Sequence, residues 1–222
     1  MEFFDDLVDK ARLKAKARVA AVRAGHPGED EVALGRRLIG SAATRAGLWG
    51  AATGTVALIA LPVGLPAGVA ATLGVEAGLI FALLDLYGVD TEGEQGRLRL
   101  YALWLGAGFA DAAKSAGMNV GARALGKILW ESLPGHLLRR INPVLLEAIL
   151  KRLGLGWLPR ALKLWPILGA PIAFALDRAA VKTLGDAALA TLDDEARERR
   201  RSGDPEIRGS GRRRRIRVNR IS

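Results

Sequence analysis

The 222-residue chain contains no cysteine, which excludes disulfides, thiolate nucleophiles and cysteine-ligated zinc or iron–sulfur clusters, and fits a reducing compartment. Aromatic residues are scarce, with five Phe, five Trp and two Tyr against 27 glycines in a chain that is half hydrophobic. A core of that composition is built from small side chains and closely apposed backbones. The two histidines, His26 and His136, stand far apart beside Gly/Pro turns with no carboxylate pattern around them. Both read as loop residues, and no metal site is expected. Ser41, Ser115 and Ser132 lack a nucleophile elbow, and no glycine-rich loop leads into the lysine and hydroxyl of a phosphate cradle. Gly106-Ala107-Gly108 falls within a helical pattern. No stretch alternates with a period of two, so no sheet is expected. These absences point away from hydrolase and nucleotide-binding chemistry and toward an all-α protein that is not an enzyme and carries no cofactor.

Charge is missing from the centre. Residues 46–75 carry none over 30 positions, and residues 46–96 hold five acidic groups and no basic one. The net charge of +10 therefore comes from elsewhere: 13 basic against five acidic groups in 97–192, and 11 against six in 193–222. Such a surface is drawn to anionic partners, among which phospholipid headgroups and nucleic acid phosphates are both candidates on charge alone.

What is present is helical periodicity. Phe4, Leu7, Val8, Ala11, Ala15, Val19 and Val22 recur at spacings of three and four, with Lys10, Lys14 and Arg18 largely elsewhere on the wheel, so residues 1–28 read as a basic amphipathic helix and its closing turn at Gly25, Pro27 and Gly28. A second helix is expected over about 29–53, with Glu29, Asp30 and Glu31 in the first turn, where the helix dipole favours negative charge. Tyr87-Gly88-Val89-Asp90 reads as a helix end with a left-handed glycine, followed by a new helix near Thr91 or Glu92. Asn142-Pro143 reads as a helix start and Gly154-Leu155-Gly156 as its stop. A long alanine-rich helix follows over 165–192. Beyond Leu192 the composition turns to charge, Gly, Ser and Pro and ends in an arginine run, which predicts a disordered basic tail over 193–222.

The uncharged stretch exceeds the roughly 20 residues that span a bilayer. However, 14 of its 30 residues are Gly or Ala, and Pro62 and Pro66 push Leu61 and Leu65 out of helical geometry. Glu76 and Asp85 follow in the second arm, and a carboxylate at mid-bilayer costs about 2.5–3.5 kcal/mol on insertion scales. A peripheral or buried hydrophobic hairpin is therefore favoured over a true span. Glycines four apart (Gly50 and Gly54, Gly64 and Gly68, Gly74 and Gly78, Gly117 and Gly121) indicate close helix packing. Glu76, Asp85 and Asp177 interrupt apolar stretches, so each must reach water, pair with a cation such as Arg178, or cap an amide.

Three blocks carry a resemblance to a known family: Ala52-Thr53-Gly54 leading to Leu61-Pro62 and Leu65-Pro66; Leu84-Asp85-Leu86-Tyr87-Gly88-Val89-Asp90; and Pro166-Ile167-Leu168-Gly169-Ala170 with Asp177 and Ala187. In this order they resemble the EcsC protein family over roughly residues 30–190, with Glu76 as a departure. The resemblance implies an α-helical cytoplasmic protein, and no catalytic residue is carried over. The acidic start, Met-Glu-Phe-Phe-Asp-Asp, is unlike a secretory signal and agrees with a cytoplasmic location.

The chain is thus expected to be one helical domain, residues 29–192, around a glycine-rich hairpin, with a basic helix before it and a tail after it. Apolar ligand or membrane contact is assigned to Leu48, Trp49, Leu58, Ile59, Leu61 and Leu65, and further to Val69, Leu73, Glu76 and Ile80. Glu76 would hold the headgroup of a lipid-like ligand. Contact with an anionic surface, at the inner face of a membrane, is assigned to Lys10, Lys14 and Arg18 and to the tail residues Arg212, Arg213, Arg214 and Arg215. The alternatives are a regulatory or structural subunit, for example of a membrane transporter, an enzyme using Glu76, Asp85 or Asp177 on a hydrophobic substrate, and nucleic acid binding by the tail. The last is disfavoured because no aromatics are interleaved with its arginines.

Overall fold

The computed structural model describes residues 2–56, 67–106, 109–115, 124–153 and 166–202. Among these there are eight helices and no strand: α1 (Glu2–Gly25), α2 (Glu31–Val56), α3 (Ala67–Leu86), α4 (Gly93–Leu105), α5 (Phe109–Ser115), α6 (Ala124–Trp130), α7 (Gly135–Leu153) and α8 (Pro166–Ser202). The fold is all-α, and no helix among the described residues is long and apolar enough to cross a membrane.

α3 is the axis of the molecule. From Leu73 onward it is apolar on nearly every side apart from Glu76 and Asp85, and Leu79, Ile80, Phe81, Leu83 and Leu84 are fully buried, as expected of a helix surrounded by others. α1 runs parallel to it, since Gly74 backs onto Leu7, Gly78 onto Ala11, and Arg23 donates 2.7 Å to the carbonyl of Leu86. The stripe of α1 marked by spacing is the buried one, with Val8, Ala11, Ala15 and Val19 inside. α1 is therefore a wall of the core, where the sequence suggests an appendage. α2 and α8 form the most extensive helix pair. They run antiparallel, because Gly35 meets Leu189 at one end and Gly47 meets Phe174 at the other. Gly185 of α8 touches both Ile39 and Leu79, which places α2, α3 and α8 around one small-residue junction.

The turns obey local chemistry. Asp30 caps α2, its carboxylate accepting from the amide of Ala33 at 2.7 Å, as an N-cap should. α3 ends on Gly88 at a positive φ of 74°. There the Val89 amide reaches back to the Leu84 carbonyl at 2.9 Å, which closes the helix end as a Schellman turn. Across α4, Arg99 and Gln95 are buried and both donate to the carbonyl of Ile128. Side-chain donors thus satisfy the carbonyls that the short α6 leaves open at its C-terminus.

Three expectations are corrected. α7 starts at Gly135 and carries Pro143 inside it; Asn142, expected as a cap, donates to the Glu94 carbonyl instead. The start is set by Pro134, whose carbonyl accepts from Leu137 and Leu138. Gly106 does not continue a helix, because α4 ends at Leu105 and Gly106 has φ of 52°. Finally, α8 runs ten residues past Leu192, because Ala196 continues its buried stripe. The expected break over Leu61–Pro66 and residues 203–222 lie outside the described residues.

Candidate functional site

The C-terminal half of α2 presents a sharply two-sided surface. Ala42, Ala43, Ala46, Gly47 and Gly50 are buried, and the ring of Phe174 lies 2.8 Å from where a Cβ on Gly47 would stand. With that flank held against α8, helical geometry turns the next two side chains away. Leu48 is 59% exposed and Trp49 52%. Leu176, 45% exposed, follows Phe174 by two positions on α8. Arg45 precedes Leu48 and Trp49 by three and four positions, so the three share one flank of α2.

The other members of the expected apolar set lie elsewhere. Leu73 and Ile80 belong to the core cluster at 1% and 0% exposure. Glu76 is 7% exposed and accepts a hydrogen bond of 2.8 Å from the indole of Trp104, which ties the middle of α3 to the end of α4. Leu58, Ile59, Leu61 and Leu65 lie outside the described residues, as does the side chain of Val69. The structure thus brings Leu48 and Trp49 together at the surface and separates them from Leu73, Glu76 and Ile80 within the core.

The cations also divide. Lys10 pairs with Asp6 at 2.7 Å on the exposed side of α1. Lys14 is exposed, whereas Arg18 is half-buried with its Nη1 lying 2.8 Å from the Cβ position of Gly78. Burial lowers the pKa of Arg18 below the ordinary arginine range. Arg45 is lowered too, by burial first and then by the positive charge of Arg18. Arg212, Arg213, Arg214 and Arg215 lie outside the described residues.

Of the remaining carboxylates, Asp177 is half-buried against α3 and takes a hydrogen bond from Thr72, not an ion pair with Arg178. Burial raises its pKa and that bond partly offsets the rise. Asp85 is half-buried near the end of α3. His26 sits in the turn after α1, with Nδ1 3.7 Å from Glu29, while His136 lies in the first turn of α7 and not in a loop. Sequence reasoning overlooked Arg45 and Gly47. The signal for Gly47 was present one turn before Gly50, and that for Arg45 in its spacing to Leu48 and Trp49. No family model, no curated protein and no solved structure matches the chain.

Proposed function

We propose that this chain is an EcsC-like, non-enzymatic helical protein that attaches peripherally to anionic lipid surfaces, with Leu48 and Trp49 as its apolar contact. The observation that carries this reading is the outward projection of those two adjacent side chains, 59% and 52% exposed, from a helix that has small residues available to cover its other flank. Tryptophan favours the headgroup boundary, where its ring is apolar and its N–H stays wet. Burying a large apolar side chain is worth about 1.5–3 kcal/mol, and each basic residue close to an anionic leaflet adds about 1 kcal/mol. The sum gives reversible attachment rather than insertion. Leu73, Glu76 and Ile80 support the fold that presents the contact and have no direct part in it.

Flotation with vesicles tests the reading. Full-length protein is expected to float with phosphatidylcholine vesicles containing an anionic phospholipid. Replacing Leu48→Ser and Trp49→Ser together is expected to lower the bound fraction at least tenfold without changing the melting temperature. Equal recovery on neutral vesicles would remove the electrostatic half of the reading. Absence of binding to both compositions would leave the partner-subunit alternative in its place.

A further inference from the structure

An arginine cannot shed its proton to relieve burial, so a half-buried guanidinium is stabilised by a counter-charge. Most inward-leaning cations of this molecule have one or an equivalent. Arg12 pairs with Glu92, Arg97 with Asp9 at 3.1 Å, and Arg99 holds backbone carbonyls. Carboxylates described in α1 and around the start of α2 are committed in the same way, Asp6 to Lys10, Glu29 to Arg37 and Glu31 to Arg200. Arg18 and Arg45 are the exceptions: among the described residues neither makes an ion pair or a hydrogen bond, and Nε of Arg45 is buried without a partner.

Their placement is convergent. Side chains on a helix lean toward its N-terminus. α1 is parallel to α3; α8 is too, meeting it at Thr72 through Asp177 and at Leu79 through Gly185, so α2, antiparallel to α8, is antiparallel to α3, and Arg18 and Arg45 lean toward each other from opposite directions. The Arg18 guanidinium lies against α3 where Gly78 leaves a gap, beside Ala11 of its own helix, and after burial the charge of Arg18 is the second cause that lowers the pKa of Arg45. Lys14, one turn before Arg18, is exposed and makes no ion pair among the described residues. Two like charges brought together, with no carboxylate paired to either among the described residues, form an arrangement that folding alone does not favour and that a bound oxyanion would relieve.

We infer that Arg18 and Arg45, with Lys14 at the rim and Gly78 as the floor, bind a phosphate-type oxyanion. Planar guanidinium forks match such an oxygen triangle. The oxyanion is either free or the headgroup of a phosphomonoester lipid, and the site does not depend on Leu48 and Trp49.

The test compares wild type with Arg18→Gln, Arg45→Gln and Gly78→Ala. The alanine leaves both charges in place and displaces the Arg18 guanidinium, which is the flexible end of a side chain. Melting is followed in inorganic phosphate against chloride at matched ionic strength. At ten times the dissociation constant, phosphate is expected to raise the wild-type melting temperature by roughly 3–6 °C. All three variants are expected to lose that rise, and the two glutamine variants to melt in chloride at or above wild type. The Leu48→Ser, Trp49→Ser variant keeps the rise, which separates this site from the vesicle contact. A headgroup ligand gives the second supporting result: no response to phosphate, but at least fivefold greater capture on phosphatidylcholine vesicles containing phosphatidic acid than on those containing phosphatidylserine, lost in Arg18→Gln and Arg45→Gln. The inference is overturned if neither probe distinguishes wild type from the variants, or if both glutamine variants destabilise the chloride form.

Discussion

Asp177 and Tyr87 are polar side chains that the fold holds at a cost, and each can be tested alone. Burial raises the folded-state pKa of Asp177, so the folded form binds a proton more readily than the unfolded chain does. Its contribution to stability is therefore greatest when the group is protonated and is lost as pH rises through the folded pKa. Asp177→Asn is expected to raise the melting temperature at pH 7 while leaving it nearly unchanged at low pH, because an amide oxygen still accepts from Thr72. Melting curves across pH 3–8 check this, and a larger gain in acid than at neutrality would contradict it. The opposite dependence comes from Glu29 and Glu92, whose pKa values are lowered by hydrogen bonds, from Arg37 to Glu29, and from Lys16 and then Arg12 to Glu92. What they add is lost as pH falls. Tyr87 has a hydroxyl that is buried with no hydrogen-bond partner, and burial followed by nearby Asp193 and Glu31 pushes its pKa up. Deleting that oxygen removes an unrelieved desolvation, so Tyr87→Phe is expected to stabilise by about 1 kcal/mol in chemical denaturation.

Glycine has opposite meanings in different helices, and its frequency alone does not distinguish them. Gly96 lies in the first turn of α4, where a Cβ would run into the backbone carbonyl of Thr91, itself buried. Backbone cannot swing aside as a side chain can. Gly96→Ala is expected to cost about 1–3 kcal/mol through overpacking. Gly40, mid-helix in α2, is exposed with nothing near its Cβ position, so Gly40→Ala is expected to gain about 0.5–1 kcal/mol from helix propensity. Measuring both by urea denaturation decides whether the glycine content reflects packing. This contrast also marks what was legible in the sequence. The ends of α1 and α3 were legible because Gly25 and Gly88 follow apolar runs, and Leu48 and Trp49, now seen to be exposed, stood out because they open the uncharged stretch. Pairing four-spaced glycines located Gly74 and Gly78. It missed Gly35, Gly47 and Gly185, which make the α2–α8 seam as single close approaches several turns apart. Asn142-Pro143 misled because the pattern of a helix start was met inside a helix, where tertiary packing overrides a local preference. That Glu76, set in an apolar stretch, had to find water or a polar partner was legible; the partner was not, since Trp104 lies 28 positions away.

At the scale of the whole molecule, α8 decides where the folded body stops. A composition that turns to charge after Leu192 suggests an end there, yet the helix continues to Ser202 because its inner stripe continues. Leu192 and Ala196 are buried, Arg199 lies 4.8 Å over the Trp130 ring, and Arg200 reaches Glu31 at 3.9 Å. These contacts tie the end of α8 to α6 on one side and to the start of α2 on the other. Of them, the exposed Arg200 pair adds little. Covering Trp130 with a cation is worth about 0.5–1 kcal/mol or more, and the methyl of Ala196 is worth about 0.8 kcal/mol. Truncation after Leu192 is therefore expected to lower stability by about 2 kcal/mol and to raise solvent quenching of Trp130 fluorescence. Truncation after Ser202 removes only residues beyond the last of these contacts and is expected to leave both unchanged. If the two truncations behaved alike, the charged segment 193–202 would belong to the tail and the body would end where composition places it. If only the longer truncation unfolds more readily, vesicle binding measured on the chain ending at Ser202 isolates the arginine run from the fold. Any binding it retains then comes from residues before 203 and not from the arginine run.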